Sequence, residues 1–154
     1  ADGTPNVIEY NCRFGDPETQ PIMMRLQSDL VELCLAATRG ELDQTTIAFD
    51  SRAAVGVVLA ANGYPASYPK GDVISGLETN ANVLAKTFHA GTKLNEQGEV
   101  ITNGGRVLCA TALGNTVTEA QKLAYDLLKQ ISWQGVEFRT DIAYRAIERE
   151  QNNA

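Results

Sequence analysis

The sequence lacks any run of about 18 uncharged apolar residues, which excludes a membrane-spanning helix. It also lacks an excess of basic residues. Thirteen Lys and Arg face nineteen Asp and Glu, a net charge of −6, which disfavours a general electrostatic grip on nucleic acid or on an anionic membrane while leaving room for a local basic site. There is one histidine, His89, so a multi-histidine metal site is excluded. Three widely separated cysteines, Cys12, Cys34 and Cys109, are too few and too unpaired for a disulfide framework or a zinc site. Each has apolar neighbours and reads as a buried, reduced thiol. The opening Ala1-Asp2-Gly3-Thr4-Pro5 has neither the basic nor the apolar region of a signal peptide and no initiator Met. No internal repeat or low-complexity tract is present.

What is there is the composition of a folded protein: 44% hydrophobic and 21% charged over 154 residues, enough for one ordinary domain or two small ones. Val7 to Phe14 alternates Glu9, Asn11 and Arg13 with Tyr10, Cys12 and Phe14, the period of a strand with one polar face. Gly15 breaks it, and Asp16-Pro17-Glu18 reads as a helix start with Asp16 as N-cap, running to about Arg25. Ser28 is expected to cap a second helix from Asp29 to Arg39, with Leu30, Leu33 and Ala37 as its apolar stripe and Gly40 as C-cap. Glu41 to Asp50 reads as a connection. Ala53 to Ala61 is a valine-rich strand, followed by turn chemistry at Asn62-Gly63-Tyr64-Pro65 and Tyr68-Pro69-Lys70-Gly71. Thr87 to Leu94 and Val100 to Thr102 predict a hairpin, and Asn103-Gly104-Gly105 a tight connection into a strand from Arg106 to Leu113. Thr116-Val117-Thr118-Glu119 is a capping box opening a helix to about Ile131, with Ala120, Leu123, Leu127 and Ile131 inward. Val136 to Arg139 reads as a short strand, Asp141 as the cap of a last helix to about Glu150, and 151–154 as a fraying tail.

The fold class is therefore α+β in two pieces: a strand-helix-helix unit over 1–41, and a strand-rich domain over 42–150. One strand in some 40 residues makes no sheet, so the partners of the first unit are expected elsewhere.

Glu9, Asn11 and Arg13 form the sharpest constellation. Two residues of strand advance side chains by about 7 Å on one face. Mg²⁺ or Mn²⁺ takes carboxylate and amide oxygens together with phosphate oxygens, and Arg13 can grip a phosphate or carboxylate in bidentate fashion. Spacing alone leaves the alternative of an ordinary solvated strand face open. Lys93 and Arg106, on strands expected to be adjacent, are candidates for a phosphate monoester, with Gly104 and Gly105 allowing close backbone approach. The alternative there is a plain hairpin turn beside a surface charge. His89 reads as a hydrogen-bonded, partly buried histidine.

The run Glu9-Tyr10-Asn11-Cys12-Arg13-Phe14-Gly15-Asp16-Pro17-Glu18-Thr19-Gln20 closely resembles the signature of the glycinamide ribonucleotide synthetases, the phosphoribosylamine–glycine ligases of the ATP-grasp superfamily. The resemblance continues through Pro21 to Leu35 and resumes in Phe88-His89-Ala90-Gly91-Thr92-Lys93, Thr102-Asn103-Gly104-Gly105-Arg106-Val107-Leu108 and Arg145-Ala146-Ile147-Glu148. It looks like the C-terminal portion of such an enzyme. It implies the end of an ATP-grasp domain over 1–41 and a small antiparallel C-terminal domain over 42–150.

The resemblance further implies Glu9 and Asn11 as ligands of Mg²⁺ or Mn²⁺, with ATP as co-substrate. It makes Arg13 the catalytic arginine that steadies the transferring phosphoryl group. Asp16, Pro17 and Glu18 become the turn beside the substrate pocket; a helix N-cap is the alternative for Asp16. Lys93, Gly104, Gly105 and Arg106 become the ribose 5-phosphate site. The implied reaction joins glycine to 5-phosphoribosylamine through glycyl phosphate, with ADP and phosphate released, in purine biosynthesis in the cytoplasm. The Gly-rich phosphate lid and the adenine pocket of such enzymes have no counterpart here. Residue 1 just before a catalytic strand reads as a cut through a domain, with the N-terminal portion of the enzyme as the missing partner. A non-catalytic binding or assembly module, and an ATP-grasp ligase with another carboxylate or amine, are the rival readings.

Overall fold

Two nine-residue apolar segments decide the architecture. In the computed structural model, which describes residues 6–77 and 83–152, Ala53–Ala61 (β1) and Arg106–Gly114 (β5) pair antiparallel along their lengths. Ala85–His89 (β2) adds antiparallel to β5, and Val136–Glu137 (β6) to β1, giving a four-stranded sheet of order β2-β5-β1-β6. Thr92–Leu94 (β3) and Val100–Thr102 (β4) form a separate hairpin. The helices are Thr19–Arg25 (α1), Leu30–Arg39 (α2), Val117–Leu128 (α3) and Tyr144–Asn152 (α4).

Alternation along β1 sends Val55, Val57, Leu59 and Ala61 to one face, where they form the core with Ala120, Ala124, Leu127 and Leu128 of α3. The other face carries Gly56, and a methyl group there would sit 3.2 Å from Cγ of Pro21 on α1. Helices α3 and α1 therefore cover opposite faces of the sheet. The register of β1 on β5 shifts between Leu59 and Ala60, so that Leu59 faces Leu108 but Ala60 faces Arg106. Such a bulge leaves Val107 and Leu108 both buried in the α3-side core and turns Arg106 onto the α1 side.

Several expectations change in the structure. Residues 6–14 are exposed and belong to no strand or sheet among the described residues. Asp16 does not cap α1. The helix starts at Thr19, whose amide and hydroxyl both donate to the Gly15 carbonyl. Asp29, not Ser28, caps α2 by accepting from the Val31 amide at 2.7 Å, while Ser28 accepts from the Ala48 amide. Ala36, not Ala37, is the buried alanine of α2. The expected strand from Thr87 to Leu94 is broken at Ala90-Gly91 into β2 and β3, which belong to different sheets. Lys93 and Arg106 therefore do not lie on adjacent strands. Helix α3 ends at Leu128. Asp141 pairs with Arg139 instead of capping α4, which opens after Ala143 in a left-handed conformation (φ 68°) and continues to Asn152. Strand β6 is half the expected length. Cys12 and Cys34 are exposed, and only Cys109 is buried. The opening residues 1–5 and the last two of the expected fraying tail lie outside the described residues.

The expected C-cap of α2 and N-cap of α3 are present. Gly40 ends α2 at φ 70°. Thr116 Oγ1 accepts from the Glu119 amide at 3.1 Å, and Glu119 reaches back to the Asn115 amide. Among the described residues no helix is long and apolar enough to cross a membrane.

Helix α1 is tied to the entrance of β1 by backbone pairing of Arg25 and Gln27 with Asp50 and Ala48, and by Arg25 Nε, which donates to the Asp50 carbonyl at 3.0 Å; the Asp50 carboxylate itself pairs with Arg52. Hydrogen bonding from Arg52 holds the Asp50 carboxyl at about 2, below its ordinary 3.8. The ionised form is therefore favoured by folding, and this contribution is complete above pH about 4 and disappears as pH falls to about 2. Thermal unfolding across that range should fall more steeply for this chain than for Asp50→Asn. Parallel curves would show that the pair does not stabilise the fold.

Candidate functional site

The α1-side face of the sheet is only partly covered by α1. What remains is a cavity of about 530 Å³ lined by Pro17, Gly56, Val58, Ala60, Tyr64, Arg106, Glu137, Phe138, Arg139 and Ile142. Its floor is made of small or slender residues of β1. Its walls come from the turn before α1, the loop after β1, the start of β5 and the segment after β6. The lining is mainly apolar with two arginines and one carboxylate, Glu137, an excess of one positive charge that suits a small anion-bearing molecule held in a fixed orientation.

Arg106 reaches this cavity because of the bulge. Its Nη1 lies 3.1 Å from Asp16 Oδ2, and its guanidinium carbon lies 5.6 Å from the centre of the Tyr64 ring. Tyr64 meets Tyr68 edge-on, with centroids 6.1 Å apart. Gly105 makes the Tyr64 position possible, since a methyl group at Gly105 would overlap the ring. Gly104 is used differently: a Cβ there would come within 2.8 Å of the Cα of Gly91. The two glycines thus serve close contacts inside the chain. Arg139 lies on the segment after β6 with its guanidinium in a bidentate pair with Asp141, at 2.8 and 2.6 Å.

Of the residues singled out in the sequence, Asp16, Pro17 and Arg106 come together at this cavity. Glu18 folds back over Gly15. Lys93 is exposed on β3 and is not among the lining residues. Glu9, Asn11 and Arg13 are exposed on the segment before Gly15, and Arg13 donates to the Phe14 carbonyl at 3.1 Å. Glu9 and Asn11 offer two hard oxygen donors without competing hydrogen bonds from one another. That set fits Mg²⁺ or Mn²⁺ as part of a shell completed by water and phosphate oxygens, and is too small for a closed protein cage. Among the described residues no cluster of three His, Cys, Asp or Glu side chains is placed to hold a metal. His89 is hydrogen-bonded, Nδ1 to Thr92 Oγ1 at 3.0 Å, but exposed.

Sequence reasoning missed Tyr64, Phe138, Arg139 and Ile142. Tyr64 sits in what reads only as a turn, and Arg139 in what reads as a strand. The available signal was Arg139-Thr140-Asp141, an arginine and an aspartate close enough to pair outside a helix.

The family model described as phosphoribosylglycinamide synthetase, C domain, matches residues 54–145. The chain is 67% identical over 150 residues to the phosphoribosylamine–glycine ligase of Vibrio vulnificus, covering 97% of this chain and 35% of that protein. Identity to the Salmonella typhimurium ligase is 63% with the same coverage. A crystal structure of the Thermotoga maritima phosphoribosylamine–glycine ligase superposes with a TM-score of 0.78 at 37% identity, over 91% of this chain and 34% of that one. The chain thus spans 35% of the length of the curated relatives it matches.

Gly105→Ala should cost about 1–3 kcal/mol in urea unfolding by forcing the Tyr64 ring aside. In a Tyr64→Ala background the same change should cost much less, a coupling that a double-mutant cycle measures. Equal costs in both backgrounds would mean that Gly105 does not exist for Tyr64.

Proposed function

Because the chain belongs to the phosphoribosylglycinamide synthetase C-domain family, we propose that it is the C-terminal part of a phosphoribosylamine–glycine ligase. That enzyme would join glycine to 5-phosphoribosylamine with conversion of ATP to ADP and phosphate, a cytoplasmic step of purine biosynthesis. The observation that carries the reading is the Asp16–Arg106 ion pair, which fastens the signature run Glu9 to Gln20 to the rim of the cavity. All cavity-lining residues except Pro17 fall within the matched span 54–145.

In this reading residues 1–41 are the end of an ATP-grasp domain and 42–150 the C-terminal domain. The apolar side chains Val7, Ile8, Tyr10 and Phe14, all exposed, then face the remainder of the ligase. Segment 6–14 would pair there as a strand, which brings Glu9 and Asn11 to one side. Those two residues would hold Mg²⁺ or Mn²⁺, which when bound neutralises phosphate charge during phosphoryl transfer. Arg13 would steady the phosphoryl group as glycine is activated to glycyl phosphate. The ribosylamine nitrogen then attacks the activated carbonyl and phosphate leaves.

Arg106, stacked on Tyr64 and relinquishing Asp16, would take the ribose 5-phosphate, with Lys93 on the neighbouring hairpin as a second cation. Pro17 and the β1 floor exclude water beside it, where positioning supplies much of the rate. No side chain needs to form a covalent intermediate.

In the complete ligase, Glu9→Ala should lower turnover by more than about 100-fold, the scale of several kcal/mol of lost charge stabilisation. Ordinary activity at ordinary Mg²⁺ would exclude Glu9 as a ligand. The 154-residue chain alone should form no ADP in a coupled assay with glycine and ribosylamine, since the lid and adenine pocket are expected in the rest of the enzyme. Sustained substrate-dependent ADP formation by it would overturn that expectation.

A further inference from the structure

The cavity holds a second arginine for which the reading above has no use. Arg139 stands on the wall formed by residues 137–142, and Arg106 enters from the start of β5. The two are built alike. Each guanidinium is held by one nearby aspartate, Asp16 for Arg106 and Asp141 for Arg139. Both pairs are substantially exposed, so each contributes little and is exchangeable for a stronger anion. The bidentate geometry of Arg139 on Asp141 is also the geometry in which arginine receives a phosphate.

The wall that carries Arg139 is fastened from behind. The Tyr125 hydroxyl, on α3, donates to the Arg139 carbonyl at 2.6 Å and accepts from the Ile142 amide at 3.2 Å. Gln121, one turn earlier, donates to the Ile142 carbonyl at 2.7 Å. These three bonds fix the backbone on both sides of Thr140-Asp141, a segment with little apolar burial of its own. One phenol thus sets the direction from which the Arg139 side chain enters the cavity. Glu150, at the far end of α4, caps the first turn of α3 through the Val117 and Thr118 amides and closes the same unit.

We propose that Arg139 is a second anion-binding residue of the cavity, acting with Arg106 on the phosphate monoester of the substrate, and that Tyr125 is its positioning residue. The proposal rests on the ligase reading and extends it. A phosphate monoester at neutral pH carries close to two negative charges and needs two or more cationic donors. Two arginines from different walls satisfy it from two directions, which fixes orientation as well as affinity. On binding, Asp16 and Asp141 give up their guanidinium partners to the phosphate and remain exposed to solvent, so no charge is left buried and unpaired.

The test is steady-state kinetics on the complete ligase, with ribose 5-phosphate as a stable competitive probe. Arg139→Gln should raise KM for 5-phosphoribosylamine and Ki for ribose 5-phosphate together by about 10- to 100-fold, the scale of one charged hydrogen-bonded contact. The kcat and the KM values for ATP and glycine should stay within about threefold. Arg139→Lys should recover part of the loss, and Tyr125→Phe should move the same two constants by about 2- to 10-fold. Unchanged constants in Arg139→Gln would overturn the proposal. So would a parallel rise in all three KM values with a lowered unfolding temperature, which marks a structural role only. Were the unaltered ligase to form no ADP in response to ribosylamine, the ligase reading would fall and this inference with it.

Discussion

The register of β1 on β5 is the constraint from which the rest follows. Two strands that share one buried apolar face cannot slip by one residue without moving an entire apolar set from one side to the other. Val55, Val57 and Leu59 opposite Ala112, Ala110 and Leu108 therefore lock the pair, and α3 packs onto that face with its own alanines and leucines. The single irregularity, between Leu59 and Ala60, then has a large effect. It places Val107 and Leu108 together in the core and brings out Arg106 on the opposite face. Without it, Arg106 would share the parity of Leu108 and point into the α3 core, where an unpaired guanidinium is strongly unfavourable. The cavity arginine is thus an outcome of sheet register as much as of residue choice.

Small residues complete the arrangement. Gly56, Ala60 and Val58 form a shallow floor because their side chains are short, and Gly56 also leaves room for Pro21 of α1. Gly105 opens space for Tyr64, which stacks beside Arg106. Larger residues at these points would fill the cavity or displace its walls. The cavity is therefore a volume the sequence leaves open on one face, while the other face is covered by the buried cluster with α3.

Much of this was legible in the residues. The valine-rich β1, the β3–β4 hairpin, the Thr116 cap and the Gly40 terminator each carry strong local signals, and each is present. Several of the failures come from partners distant in sequence. Asp16 looks like a helix cap because cap preference is local, yet it is drawn to an arginine 90 residues away, whereas Asp141 is taken by Arg139 only two residues before it. The break at Ala90-Gly91 is set by Gly91 meeting Gly104, which no window around either residue reveals. The bulge is likewise invisible in β5 alone. Of the candidate site, Asp16, Pro17 and Arg106 were readable through the resemblance of their motifs. Arg139 was not, because its place in the cavity depends on a phenol on a helix that looks purely structural.

Residues 6–14 show the converse case, a clear local pattern that no sheet among the described residues satisfies. Ile8, Tyr10, Cys12 and Phe14 alternate with Glu9, Asn11 and Arg13, a two-faced strand in composition. Ile8 is nevertheless 95% exposed, and among the described residues the segment joins no sheet. Burying four such side chains is worth several kcal/mol, at about 25 cal/mol per Å². A pattern of that strength left unsatisfied is a statement about surroundings, since strands become stable only with neighbours. Under the proposed function those neighbours belong to the rest of the ligase, and the polar face then presents Glu9, Asn11 and Arg13 to ATP. The Asp16–Arg106 pair begins two residues after this segment ends. It is the point at which ordering the strand would be felt in the cavity, because whatever orients Asp16 decides whether Arg106 is held by an aspartate or released to a phosphate.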